Sequence, residues 1–313
     1  MKAAISINFD SLAECLKLVG IEPERKKFHD EAFHKILDRF LNLADKYGLK
    51  MSFYMIGKDI ENESNCRQIE KIVQAGHEIG NHSYSHFQNI AERKQQEIYF
   101  EIKKAHDLIK DNFNINSKGF ISPAWSYSMR TSKVLQELGY EYDTSLAPSF
   151  IMPIGNFKLW LQSKSREMIP LIRSDLKGAL FGERNPFYPG NRVFWNDDKQ
   201  TEKEGLIMLP LPTTKLRFPI WHTLSFMIDE SKWVNIISKN VDNPGFYYLM
   251  HPVDLLCPEK DLKNLPSQIK SIERINTPLV EKLKKAELVF EILKERGTVC
   301  MHEKAKLLRE GTI

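Results

Sequence analysis

AGHEIGNHSYSH, residues 75–86, sets three histidines, His77, His82 and His86, within ten residues. Gly76 stops the helical pattern SNCRQIEKIVQAG that precedes it, for which Ser64 is the expected cap. HEIGN then reads as a short strand, and His82 and His86 fall in the loop after it. Helix, strand and a loop carrying ligand-type side chains is the local signature of an α/β fold, whose chemistry sits beyond the C-terminal ends of its strands. Two histidines four apart offer two imidazoles to a metal, although that spacing alone is more often a polar turn.

Working outward, the same unit recurs. AAISINF is strand-like, and EAFHKILDRFLNLADKYG places Phe33, Ile36, Leu37, Phe40, Leu41 and Ala44 on one helical face before Gly48. KMSFYMIG reads as a strand, ERKQQEIYFEIKKAHDLIKDNF as a long helix, GFISPAW as a strand, TSKVLQELG as a helix and YEYDTSL as a strand. Near the end GFYYLMH, PLVEKLKKAELVFEILKERG and TVCMH repeat strand, helix and strand. Such alternation predicts parallel strands covered by helices, in a barrel or a doubly wound sheet. Asp10, His82, Pro123, Asp143 and His251 all fall just after a predicted strand.

Composition narrows the function classes. The chain has 313 residues, 42% of them hydrophobic, enough for one large elaborated domain spanning 1–313. A net charge of +4 is too small to argue for nucleic acid, and no nucleic-acid partner is expected. Cys15, Cys66, Cys257 and Cys300 are dispersed without a CxxC pair, so free thiols are expected rather than a disulfide framework. The N-terminus lacks a secretory pattern, and no run reaches the roughly 18 apolar residues of a membrane span. A cytoplasmic protein is the expectation.

GHEIGNHSYSH closely resembles the second motif of the polysaccharide deacetylase family (NodB homology, carbohydrate esterase family 4), and ISINFDS, FISPAWS, YEYDTSL and YYLMHP resemble the family's other motifs in order. SPAW and the start with a single aspartate look most similar to a deformylase and deacetylase branch acting on polyprenyl-phosphate-linked amino sugars. The resemblance implies a distorted (β/α) barrel and a metal, zinc (Zn2+) or another divalent transition metal, held by Asp10, His82 and His86. The family's first motif usually holds two aspartates, one the base and one a ligand. Read against the spaced form, Asn8 replaces the base and Asp10 is the ligand. Read against the adjacent form, Asp10 is the base and Ser11 replaces the ligand; the first is preferred, because a hydroxyl is a poor substitute for a carboxylate.

With asparagine at position 8 the usual base is missing, and Ile121 stands where many members carry an arginine that orients it. A divalent ion that lowers the pKa of water to roughly 7 keeps amide hydrolysis feasible. His251 is then the expected general acid and Asp143 its orienting partner. Ser122, Pro123, Ala124 and Trp125 are expected to wall the sugar site, and Arg217 or Lys215 to meet a phosphate or sugar acid. His77 is expected to make a structural hydrogen bond.

The stretch from about 155 to 200 breaks the rhythm, and residues 155–195 carry seven basic and three acidic residues among aromatics and leucines. That mixture suits an anionic membrane surface, or else a solvated insertion. The expected reaction is removal of an N-acetyl or N-formyl group from an amino sugar, linked to polyprenyl phosphate at the inner membrane face. Deacetylation of free sugars or soluble glycans, and carbohydrate binding without turnover, stay open.

Overall fold

The computed structural model describes residues 2–14, 30–163, 176–189, 205–262 and 273–311. Eight strands run through it: β1 (Ala3–Phe9), β2 (Ser52–Met55), β3 (Glu78–Asn81), β4 (Gly119–Phe120), β5 (Tyr142–Asp143), β6 (Ile207–Met208), β7 (Tyr248–Met250) and β8 (Thr298–Val299). Every pairing between them is parallel, in the order β6-β5-β4-β3-β2-β1-β7, and β8 joins the start of β1. The sheet is curled and open between β6 and β7, where the bridges Phe187 to Met208 and Trp221 to Leu249 flank the gap. This is the distorted barrel that the motif resemblance implied, one of the two arrangements left open by the alternation of elements.

Helices α1 (Asp30–Tyr47), α2 (Glu63–Gln74), α3 (Gln95–Phe113), α4 (Met129–Glu137), α6 (Glu230–Asn240) and α7 (Leu279–Arg296) cover the outer face, whereas α5 (Ile151–Ser163) and α8 (Met301–Arg309) pack on the inner cluster. α1 buries Phe33, Ile36, Leu37, Phe40 and Ala44 as its periodicity predicts, and Leu41 packs on the same core half-covered. Gly48 ends it with φ 63°, in the left-handed region that favours glycine. Ser64 does not cap α2. Asn62 does, its side chain accepting from the Ser64 and Asn65 amides, because two residues further back an acceptor reaches the free N–H groups of the first turn. GFISPAW keeps only two residues in the ladder before Pro123 turns it into a 3-10 turn, and TVCMH runs directly into α8.

β1 is buried on both faces, so its alternation sorts the core. Ile5, Ile7 and Phe9 join the helix-side cluster, where Phe9 meets Phe33 edge to face at 4.7 Å and Phe53 at 6.2 Å. Ala4 belongs to the inner cluster with Tyr54 and Tyr142, and Asn8, on the same face, opens toward the barrel mouth. Below that mouth the barrel is plugged by hydrogen-bonded polar groups. Tyr54 Oη donates to Tyr142 Oη at 2.9 Å and Tyr142 Oη to Glu78 Oε1 at 2.8 Å, while Ser52 Oγ at 2.6 Å and the His302 amide at 3.0 Å satisfy Glu78 Oε2. Partnered in this way, a half-buried carboxylate and two buried phenols cost little.

The plug needs two glycines for room. A Cβ on Gly80 would lie 2.4 Å from the Tyr54 ring, and one on Gly119 would lie 2.0 Å from the Tyr142 hydroxyl. Cys66, Cys257 and Cys300 are free thiols, as expected, and Cys15 lies outside the described residues. Gly119→Ala should lower stability by about 1 to 3 kcal/mol through overpacking, read as a lower urea midpoint at unchanged slope. An unchanged midpoint would mean that the Tyr142 ring is not fixed where its hydrogen bonds place it.

Candidate metal centre and active-site cavity

The motif around His82 is wired from below. Asn81 Nδ2 donates to Ile102 O at 2.9 Å and Tyr140 Oη at 2.6 Å, and its Oδ1 accepts from the Ser83 amide at 2.8 Å. Ser83 Oγ accepts from the His86 amide at 3.2 Å, and Glu101 takes the Ser85 amide at 2.7 Å. Ser83 and His86 hold φ of 61° and 57°. Strain of roughly 1 to 3 kcal/mol at such positions persists only where surrounding bonds over-determine it. The loop thereby turns both imidazoles toward the end of β1.

There Asp10 meets them, after a tight turn in which its amide donates to Asn8 O at 2.9 Å. His82 Nε2 stands 3.0 Å from Asp10 Oδ1 and His86 Nε2 stands 3.4 Å from the same oxygen. One ligand atom from each of the three residues lies within 4.8 Å of the others. The opposite ring nitrogens are also held: His82 Nδ1 donates to Ile121 O at 2.7 Å, and His86 Nδ1 faces Glu14 Oε2 at 3.4 Å. Two histidines backed by oxygens on the Nδ1 side, with Nε2 converging beside a carboxylate, match the donor set of a zinc-type site, so these residues fit a divalent ion. Burial opposes ionisation of Asp10, but attraction to His86 and hydrogen bonds from both histidines hold its carboxyl well below the usual range. Burial likewise opposes charging of His86, yet Asp10 and Glu14 raise it to about 9. Two acids and two histidines packed this closely are primed to exchange protons for a cation.

The cluster lies at one side of a cavity of about 230 Å³. Asn8 and His251 also line it, and Trp125 stacks on Trp221 with ring centres 5.2 Å apart, His251 packing against both. Ile151, Met152, Gly155 and Asn156 of α5 form a further wall. Ala124 and Trp125 reach this wall through a kinked turn with φ of 50° and 53°.

Not every expected residue reaches the cavity. Asp143 is fully buried and does not line it. Its Oδ1 accepts from Ser145 Oγ, whose oxygen in turn takes the Ser122 amide at 2.7 Å, so Asp143 braces the SPAW turn instead of facing His251. Burial pushes the Asp143 carboxyl up to about 7 against these bonds. Ser122 and Pro123 are buried behind the turn. Arg217 points elsewhere, donating to Gly182 O at 2.8 Å, because the turn from Thr214 to Arg217 carries it outward with φ 58°. His77 Nδ1 accepts from the Met51 amide at 3.4 Å at the far end of the sheet. Sequence reasoning missed Glu14, which sits four residues after Asp10, the helical spacing that could have flagged it. It also missed Trp221, four residues beyond the arginine that drew attention.

Residues 26–142 match the family model described as polysaccharide deacetylase. That span holds His82, His86 and the SPAW turn, while Asp10 and His251 lie outside it. Over 117 residues the chain is 37% identical to the peptidoglycan deacetylase of Helicobacter pylori (strain ATCC 700392 / 26695), covering 37% of this chain and 39% of that protein. Over 94 residues it is 29% identical to the uncharacterized protein YlxY of Bacillus subtilis (strain 168), covering 30% and 28%. The similarity thus spans about two fifths or less of these curated relatives. A solved Mycobacterium smegmatis structure of the polysaccharide deacetylase kind superposes over 100% of this chain and 93% of its own, with a TM-score of 0.55 at 15% identity. The two share a fold.

Elemental analysis should find close to one divalent ion per chain in the wild type and none in Asp10→Ala or His82→Ala. Glu14→Gln keeps all three ligands and should weaken metal affinity roughly 10- to 100-fold; unchanged affinity would remove Glu14 from the site. His77 supplies a separate pH dependence. Burial, then the nearby Lys50 charge, lowers its pKa from 6.5 to about 4, so the unfolded chain takes up a proton while the folded one still resists. Stability should therefore fall as pH drops from 6.5 toward 4, and His77→Gln should flatten that part of a Tm-against-pH curve.

Proposed function

We propose that this protein is a metal-dependent hydrolase that removes an N-acyl group, acetyl or formyl, from an amino sugar, and that the sugar is carried on polyprenyl phosphate. The observation that carries the reading is the convergence of Asp10, His82 and His86 on one side of a cavity whose lining also holds His251. The match of residues 26–142 to polysaccharide deacetylases supports the same reaction class.

Asp10, His82 and His86 would hold the ion, which when bound supplies Lewis acidity to polarise a carbonyl and acidify water. The remaining work falls to the chain. His251 lines the cavity and would give a proton to the departing amine, and the hydrogen bond that its backbone N–H donates to Asp254 Oδ2 at 2.8 Å fixes the backbone that presents it. Asn8 is buried and lines the cavity, where its amide can orient water or an acyl oxygen but cannot accept a proton. The stacked Trp125 and Trp221 wall off solvent and offer a flat apolar face to a sugar ring or acyl group.

Asn8 favours a second reading, a carbohydrate-binding homologue with little turnover, because a positioned base is typically worth about 10²- to 10⁴-fold. One experiment addresses both. Purified protein, stripped with chelator and reloaded with zinc or cobalt, is offered N-acetyl and N-formyl amino sugars, free and linked to polyprenyl phosphate, and release of acetate or formate is followed. The expected result is metal-dependent release, greatest for the lipid-linked sugar and lost in His251→Ala. Sugar binding without release in the wild type, with release gained in Asn8→Asp, would replace the hydrolase by the binding reading. Release that is equal for free and linked sugars would remove the polyprenyl carrier.

A further inference from the structure

We infer that the surface formed by the outer side of α5, the helical turn at 176–181 and the loop tip at Leu216 is a docking surface for an anionic lipid bilayer, and that through α5 it brings the cavity mouth to the membrane. The inference rests on the proposed site for its purpose but not for its evidence.

α5, IMPIGNFKLWLQS, holds one charged residue, Lys158, and its apolar residues are not confined to one side. A helix of that kind needs apolar surroundings all round, and here protein supplies only half of them. Met152 and Asn156 turn inward and are buried, whereas Ile154 is 68%, Phe157 49% and Leu161 56% exposed. Those three recur at the spacing of one outward face. At 13 residues α5 is too short to cross a bilayer, and no described helix is long and apolar enough to do so. It is long enough to lie in an interface.

Two further segments extend the face. The turn at 176–181 exposes Leu176, Leu180 and Phe181, and Gly182 brings it against Pro148 just before α5. Arg184 Nη1 donates to Lys215 O at 2.9 Å and Arg217 Nη1 to Gly182 O, which ties in the loop where Leu216 is 86% exposed. Three separated stretches that expose apolar side chains are thus tied to one another, more than the scattered exposure of an ordinary surface. Lys158, Lys177 and Lys215 stand exposed among them. Apolar tips interleaved with cations match a bilayer with anionic headgroups, where each cation adds about 1 kcal/mol and the apolar groups enter the acyl boundary. The match is poorer for a second copy of the chain, which would bring the same positive charge to the contact. Continuity with the cavity gives the surface its use, since the inner side of α5 lines the cavity that holds the metal ligands.

The test is flotation of the full chain with phosphatidylcholine vesicles, with and without about a third phosphatidylglycerol, at low and high salt. The wild type should float with the anionic vesicles, less so at high salt. Ile154→Glu combined with Phe157→Glu, both outside the cavity lining, should lower the bound fraction about tenfold or more, with metal content unchanged as proof of folding. Wild type that stays at the bottom with every vesicle overturns the docking surface, even if the chain proves a metal-dependent deacylase. So does a concentration-dependent dimer that the double variant breaks while vesicles bind nothing. Flotation of a wild type that holds no metal would instead sink the proposed reaction and leave the surface standing.

Discussion

The parallel register of β1, β2 and β3 is the constraint on which the site depends. Asn8 pairs with Tyr54 and Phe9 with Met55, while Tyr54 pairs with Gly80 and Met55 with Asn81, so the ends of β1 and β3 finish level across the strand between them. A one-residue slip would turn Asn8 and the inner Tyr54 toward the helices and carry Asp10 away from the histidines. Side-chain size fixes the register from beneath. Tyr54 fits only opposite Gly80, and Tyr142 only beside Gly119. The plug that fills the barrel floor is therefore also the ruler that sets the geometry of its mouth.

Where chemistry is local in sequence it was legible. His82 and His86 share one loop, the Asn81 and Ser83 bonds that shape the loop lie between or beside them, and a single strand carries Asn8 toward Asp10. The covering helices were equally readable, since α1 announces its buried face by spacing alone. Illegible were the meetings of distant segments. Nothing in FPIWH says that Trp221 stacks on Trp125, because the sheet must curl before the two loops touch. Asp143 was misplaced for the same reason: a position at a strand end looks catalytic until the inward or outward direction of its side chain is known. Here it points into the packing under the SPAW turn. The stretch near α5 read as basic and aromatic, but only the fold shows that one side of that helix lines the cavity while the other meets solvent. Much of the expected insertion, 164–175 and 190–200, lies outside the described residues.

The site combines a conventional ligand set with a changed neighbourhood. Position 8 offers an amide where a carboxylate was expected, and Ile121 contributes only its carbonyl, which grips His82. Meanwhile Glu14 adds a buried negative charge behind His86. A carboxylate on the far side of a ligating imidazole raises its basicity and fixes its tautomer, which strengthens its hold on a cation. Asp10 and, behind His86, Glu14 carry the negative charge here, while the cavity surface beyond them is largely apolar.

β1 has a further consequence through its neighbours. It pairs with β2, about fifty residues later in the chain, but its other flank is closed by β7 and its start by β8, both contributed by the last quarter. During synthesis the strand that delivers Asp10 leaves the ribosome well before β7 and β8, its remaining partners. A long interval with a largely apolar strand unpaired favours aggregation over folding, and contacts so distant in sequence form slowly. The cluster of Asp10, His82 and His86 is thus completed late in folding, and a cell making this protein must shelter β1 until β7 and β8 arrive.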